Sequence, residues 1–133
     1  MQLDHRSILV KDLEASIAFY RSVLGMDLLR TSGAPMTGAW LGADGKDIVH
    51  LNTGPTEGLG HVKDVHIALR TDRFAELIDA LEDKSVAFES WQGEAGAVGR
   101  HALGFRQIYL QDPDGYWIEI NDVDPGRKLR TLE

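Results

Sequence analysis

The stretch Phe105–Asn121, FRQIYLQDPDGYWIEIN, reads as a β-hairpin. Gln107–Gln111 and Tyr116–Asn121 are rich in aromatic and branched side chains, and Asp112-Pro113-Asp114-Gly115 lies between them. Proline at the second turn position presets φ, and glycine at the end tolerates a left-handed backbone. Side chains alternate along a strand, so Ile118 and Ile120 share one face while Trp117, Glu119 and Asn121 share the other. A carboxylate on a mostly apolar strand needs solvent or a positive partner. Arginine or lysine is the ordinary partner, but the rest of the chain offers a more specific one.

Outward from this hairpin the chain repeats itself. His5–Val10 predicts a strand. Asp12 predicts a helix N-cap, Leu13, Ile17, Tyr20 and Leu24 line one helix face, and Gly25 is the stop. His66–Arg70 predicts a second such strand, with Asp72 as cap and Phe74, Leu77, Ile78 and Leu81 as the helix face. Ala39–Gly42, the turn Ala43-Asp44-Gly45-Lys46 and Asp47–Asn52 read as strand, turn, strand. Aligned on the Asp-Gly turns, Ile48-Val49-His50-Leu51-Asn52 falls on Trp117-Ile118-Glu119-Ile120-Asn121, so His50 matches Glu119. Each copy reads β-α-β-β-β over roughly sixty residues, an internal repeat. The expected class is α+β, with two βαβββ modules forming a cupped mixed sheet.

The expected organisation is a single domain over residues 1–122, with modules at about 3–53 and 64–122 and a polar C-terminal tail over 123–133. A chain of 133 residues is long enough for a core, and 43% apolar with 26% charged residues is ordinary for a globular protein. The net charge of −7 argues against nucleic acid or an anionic membrane as partner. The absence of cysteine excludes disulfides, thiolate ligands and a cysteine nucleophile. The opening MQLDHRSILV has no basic region followed by a long apolar run, which sets the expectation of a cytoplasmic protein. Thr53–Asp64 reads as a linker. Gln92–Gly104, glycine-rich and irregular, reads as a mobile loop over a site. Its glycines neither follow a strand nor open a helix, so it does not read as a phosphate cradle.

The repeat turns scattered polar residues into a candidate site. A pseudo-twofold places His5 opposite His66 and His50 opposite Glu119. Imidazoles and a carboxylate carried on rigid strands suit a divalent metal. A lone histidine in a strand is more often a packed or surface residue; the coincidence of module-equivalent positions favours His5, His66 and Glu119 as ligands. His50 is a fourth ligand, a base or a substrate contact. His61 and His101 have no symmetry behind them and read as solvated loop residues, with His101 able to reach a site if its loop folds over. Arg100, Arg106 and Gln107 border the hairpin and are candidates for an anionic or carbonyl substrate, against the plainer reading of surface charge. Tyr109 and Trp117 are candidates for pocket walls, and Trp40 has the same two readings, although strand aromatics are more often core. No nucleophile elbow or Ser-His-Asp arrangement is present.

These segments resemble a known family. His5 with KDLEASIAFYRSVLGM, HIALRTD at His66 and QDPDGYWIEIN with Glu119 are similar to the vicinal oxygen chelate superfamily, which includes glyoxalase I, fosfomycin-resistance thiol transferases, extradiol dioxygenases and bleomycin-binding proteins. The similarity runs from His5 to Asp122 and is greatest to glyoxalase I-type single-domain members. It implies paired βαβββ modules and a homodimer with sites near the interface. It also implies metal ligands at His5, His66 and Glu119, and a further ligand position at His50, where glyoxalase I carries a glutamate. The implied cofactor is one divalent ion, Zn, Ni, Mn or Fe.

The function that follows is a metal-dependent isomerase or lyase acting on a small molecule chelated through two adjacent oxygens, by way of an enediolate, with Glu119 or His50 moving the proton. Arg106, Gln107, Tyr109 and Trp117 are its expected substrate-binding residues. The alternatives are an Fe(II) extradiol-type dioxygenase, a thiol transferase, and a binding protein that performs no chemistry.

Overall fold

The computed structural model describes residues 1–126, so most of the expected polar tail lies outside the described residues. The chain divides into two compact units, Met1–Gly60 with Asp112–Gly115, and His61–Gln111 with Tyr116–Glu133.

The first unit runs β1 (Arg6–Val10), α1 (Leu13–Ser22), β2 (Asp27–Ser32), β3 (Gly38–Ala43) and β4 (Lys46–Thr53). Its sheet has the order β1-β4-β3-β2, with β1 parallel to β4 and the other pairs antiparallel. The Asp12 side chain accepts the Ala15 N–H at 3.0 Å, the N-cap that the sequence predicts. Gly25, at φ 68°, closes the helix by donating its N–H to the Arg21 carbonyl at 3.1 Å. The helix buries Leu13, Ser16 and Tyr20, whereas Ile17 and Leu24 are only half-buried. They pack with a sheet core that includes Ile8, Val10, Leu41, Val49 and Leu51. The Tyr20 hydroxyl donates to Asp112 at 2.8 Å in a buried contact, and burial together with that carboxylate drives the phenol pKa far upward. Asp114 accepts the Lys11 N–H at 2.9 Å, so the Asp-Pro-Asp-Gly turn packs as part of this unit. Asp44 and Gly45 take positive φ, 52° and 72°, as a two-residue turn joining β3 to β4 demands.

The second unit runs β5 (His66–Arg70), α2 (Phe74–Asp83), β6 (Gly99–Arg100), β7 (Arg106–Gln111) and β8 (Trp117–Asn121), with sheet order β5-β8-β7-β6. Helix α2 buries Phe74 and Leu81 and half-buries Leu77 and Ile78, the face expected from the sequence. Its cap differs from the expectation: the N-cap is Arg73, with no side-chain cap bond. Asp72 stands one position too early and pairs with Arg70, while Thr71 Oγ1 accepts the Arg73 N–H at 3.1 Å. The glycine-rich stretch also differs, because it contains β6 and a bridge from Ala95 to Glu89. Two residues of backbone pairing carry no hydrophobic alternation for the sequence to reveal.

The two modules share one register. In the first, Ser7 pairs with His50 and Trp40 with His50; in the second, Ala68 pairs with Glu119 and Tyr109 with Glu119. His5 precedes Ser7 by two residues, as His66 precedes Ala68. His5 therefore corresponds to His66, His50 to Glu119, and Trp40 to Tyr109. The α+β class and the βαβββ repeat hold. No helix among the described residues is long and apolar enough to cross a membrane.

Candidate functional site

In the second unit, alternation along β8 turns Glu119 to the same face as Trp117 and Asn121. Glu119 is buried, and its Oε2 lies 3.0 Å from His66 Nε2. The other nitrogen of that ring, Nδ1, is 2.7 Å from the Lys63 carbonyl. A carbonyl only accepts, so Nδ1 carries the hydrogen and Nε2 is left facing the carboxylate. Asn121 donates to Glu119 Oε1 at 3.0 Å. The Tyr109 hydroxyl also bonds to Glu119; burial first, then the carboxylate charge and that bond, push its pKa up to about 12. Lys63 anchors the segment before β5. Its ammonium lies 2.6 Å from Glu89 Oε2, 3.1 Å from the Ser90 carbonyl and 4.8 Å from the Trp117 ring.

The first unit brings His5 and His50 together, with ring centroids 5.9 Å apart. His5 Nδ1 is hydrogen bonded to Asp4, a carboxylate that fixes the ring orientation. His50 stacks on Trp40 at 3.8 Å and 13°, and the Arg30 guanidinium, paired with Asp47, lies over Trp40 at 4.8 Å. His50 Nε2 is buried with no hydrogen-bond partner among the described residues. Burial, then the charges of His5 and Arg30, hold the His50 pKa below its ordinary value against the opposing pull of Asp47. Gly38 lies alongside: a Cβ there would sit 3.5 Å from this nitrogen and 2.8 Å from Ser32 Oγ.

A cavity of about 420 Å3 opens in the second unit beside His66 and Glu119. Gln107 and Tyr109, both expected to bind substrate, line it. Arg106 does not: it alternates to the other side of β7, where its guanidinium pairs with Asp122 at 2.7 Å and lies over Phe74. Trp117 packs on Lys63 and is not part of this lining. His101, read from the sequence as solvated unless its loop folds over, does line the cavity, stacked on Phe105 at 4.4 Å and 6°. Trp91 lines it too and is a residue that sequence reasoning missed; a lone tryptophan just before a glycine-rich loop was the available signal. His61 packs against Tyr116 instead, at 4.4 Å. Each unit thus pairs two of the four ligand-type residues. Among the described residues, no group of three histidine, aspartate or glutamate side chains forms a cluster able to hold a metal ion.

Residues 2–120 match the family model of the Glyoxalase/Bleomycin resistance protein/Dioxygenase superfamily. The chain belongs to this superfamily. It is similar to a lactoylglutathione lyase of Salmonella typhimurium, 36% identical over 141 aligned positions that cover 97% of this chain and 98% of the relative. It is also similar to the protein YwbC of Bacillus subtilis, 34% identical with 90% and 95% covered. Among solved structures, the fosfomycin resistance protein FosX of Listeria monocytogenes, in a complex with Mn(II), shares the fold at a TM-score of 0.75 and 18% identity, covering 99% of this chain and 98% of that one.

Members of the glyoxalase superfamily generally depend on a divalent metal. This chain carries donors of the kind such an ion takes, as two separate pairs, His5 with His50 and His66 with Glu119. Nε2 of His66, with Nδ1 committed to a carbonyl, needs a proton or a cation between itself and the Glu119 carboxylate. Imidazole and carboxylate donors of this kind suit Zn, Ni, Mn or Fe.

Proposed function

We propose that this chain is a divalent-metal-dependent glyoxalase-type isomerase or lyase, acting on a small oxygenated substrate with two adjacent oxygens by way of an enediolate. The observation that carries this reading is the contact of His66 Nε2 with Glu119 Oε2 at 3.0 Å, with the opposite ring nitrogen already pinned. That separation is close to the spacing of neighbouring ligands around an ion with bonds of ~2.1 Å. Similarity to lactoylglutathione lyases supports the same reaction class. We assign His5, His66 and Glu119 as metal ligands and His50 as the base, in a homodimer with cytoplasmic residence.

When bound, the metal supplies a Lewis acid that draws charge from the two substrate oxygens. The chain's own residues do the rest. Asp4 and the Lys63 carbonyl hold the His5 and His66 rings in orientation, so that each presents its other nitrogen. Asn121 and Tyr109 steady the Glu119 carboxylate by donating to it. Glu119, held this way, is a poor choice for taking a proton as well. His50 is better suited, because its lowered pKa keeps the ring neutral and ready to accept the proton at neutral pH. It would take the C–H proton from one carbon of the substrate and return it to the adjacent carbon.

Two measurements test the proposal. Protein purified without added metal is analysed for bound ions, with His66→Ala and Glu119→Ala as controls. A stoichiometric divalent ion lost in both variants is expected. Iron coupled to oxygen consumption on a catechol would move the reading to a dioxygenase, and full metal retention in both variants would retire the ligand assignment.

A further inference from the structure

The cavity beside Glu119 lacks what an anion site needs. Among the described residues, its lining contains no lysine or arginine, and its one fixed charge is the Glu119 carboxylate. The cations bordering the same strands are directed elsewhere. Lys63 is committed to Glu89 at 2.6 Å and to the carbonyls of Ser90 and Trp91. Arg106 is held by Asp122 at 2.7 Å. Arg100 pairs in register with Arg106, while Gly99 pairs with Gln107. Opposed residues on neighbouring strands share a face, so Arg100 lies with Arg106 and away from the face that Gln107 gives to the cavity. Away from the His66–Glu119 end, a carboxylate placed here would lose hydration with no lysine or arginine in the lining to pair with it.

What the lining does offer is rings and neutral amides. Trp91, Phe105 and Tyr109 present aromatic surface, Trp91 and Tyr109 with centroids 5.3 Å apart. Gln107 and Asn121 contribute carboxamides, which donate and accept without charge. A volume of about 420 Å3 is in the range of small-molecule sites. Flat apolar groups stack favourably on such walls.

We infer that this cavity takes the uncharged, flat, ring-bearing end of the substrate and discriminates against carboxylate-bearing conjugates. Lactoylglutathione, which gives its name to several relatives, carries two carboxylates and is of the disfavoured kind. The placement of the two adjacent oxygens next to His66 and Glu119 rests on the proposed function; the charge preference rests on the lining alone.

The whole protein, as purified, is titrated with 2-hydroxyacetophenone, a neutral aromatic with carbonyl and hydroxyl on adjacent carbons, and separately with S-hexylglutathione. Tryptophan emission is followed, and the exposed Trp91→Phe change identifies the part of the signal that belongs to the cavity. The expected result is Trp91-dependent quenching by 2-hydroxyacetophenone with a Kd at least ten-fold below that of S-hexylglutathione. Equal or tighter binding of S-hexylglutathione, or no Trp91-dependent quenching by either compound, overturns the inference. Exchange of the CH2OH protons of 2-hydroxyacetophenone in D2O, read by NMR in the same samples, reports separately on the enediolate chemistry. Binding without exchange counts against the proposed function and leaves the charge preference standing.

Discussion

At the scale of single residues, His50 has the most specific surroundings in the first unit. Its ring is stacked on Trp40, its Nε2 is buried without a partner, and its pKa is lowered. His50→Ala is expected to reduce proton abstraction by about 10²- to 10⁴-fold, the usual contribution of a general base, with metal content unchanged. Parallel measurement of turnover and bound metal separates this role from ligation. A base must be unprotonated to work. With its pKa depressed, the rate should be at its plateau at neutral pH and fall only as acid takes the system through a midpoint below the ordinary imidazole value of about 6.5. A midpoint above that value would contradict the burial that causes the shift. Asp122 is a second residue with a directional shift: burial raises its pKa, but the hydrogen bonds and charge of Arg106 more than offset this and leave it lowered. A carboxyl with a depressed folded pKa stabilises above its unfolded value and loses that contribution as pH falls through the folded one. Asp122→Asn should therefore cost about 1 kcal/mol at pH 7, the Arg106 partner being partly in solvent, and the difference should vanish in acid melts.

At the scale of elements, the two helices make a paired experiment. Asp12 caps α1, so Asp12→Ala should destabilise by about 1 kcal/mol in denaturant melts, whereas Asp72→Ala, which removes no cap, should remain within about 0.5 kcal/mol. The β3–β4 hairpin has a stricter requirement. A Cβ at Gly42 would lie 1.7 Å from the Lys46 carbonyl oxygen, at the irregularity in register after Leu41. Backbone cannot yield as a side-chain tip can. Gly42→Ala should cost about 3 kcal/mol, measurable as a drop in melting temperature, through overpacking at a bulge. A neutral result would mean that this hairpin tolerates a different register.

At the scale of the whole molecule, the duplication was legible because it rests on local signals that recur: an apolar strand, a helix face and an Asp-Gly turn, in the same order twice. The register then carries His5 onto His66 and His50 onto Glu119 with no further assumption. Other features were hidden for physical reasons. Two residues of β6 have no apolar period. Asp72 looks like a cap until Arg70 is seen to hold it. The Lys63 carbonyl, which orients His66, is a backbone group common to every residue and leaves no mark in the sequence. Trp91 and His101 reach the cavity only through loop conformation, which tertiary contacts set. If a metal binds only the folded chain, occupancy must also appear as stability: at a hundred-fold excess over its Kd it adds about 2.7 kcal/mol. For a domain of this size, chelation should then lower the melting temperature by on the order of 10 °C. Calorimetry with and without EDTA checks this, and coincident melts would argue that no structural share of the binding energy exists.

A donor set of two imidazoles and one carboxylate, His5, His66 and Glu119, has an arithmetic consequence. On the proposed assignment, a dication meets a single anionic donor, and the inner shell retains one uncancelled positive charge. Such a centre would favour borderline ions that accept nitrogen over hard, oxygen-seeking ones such as magnesium. Exchanging one of the two imidazole donors for a carboxylate would cancel that residual charge and shift the preference toward the harder ions.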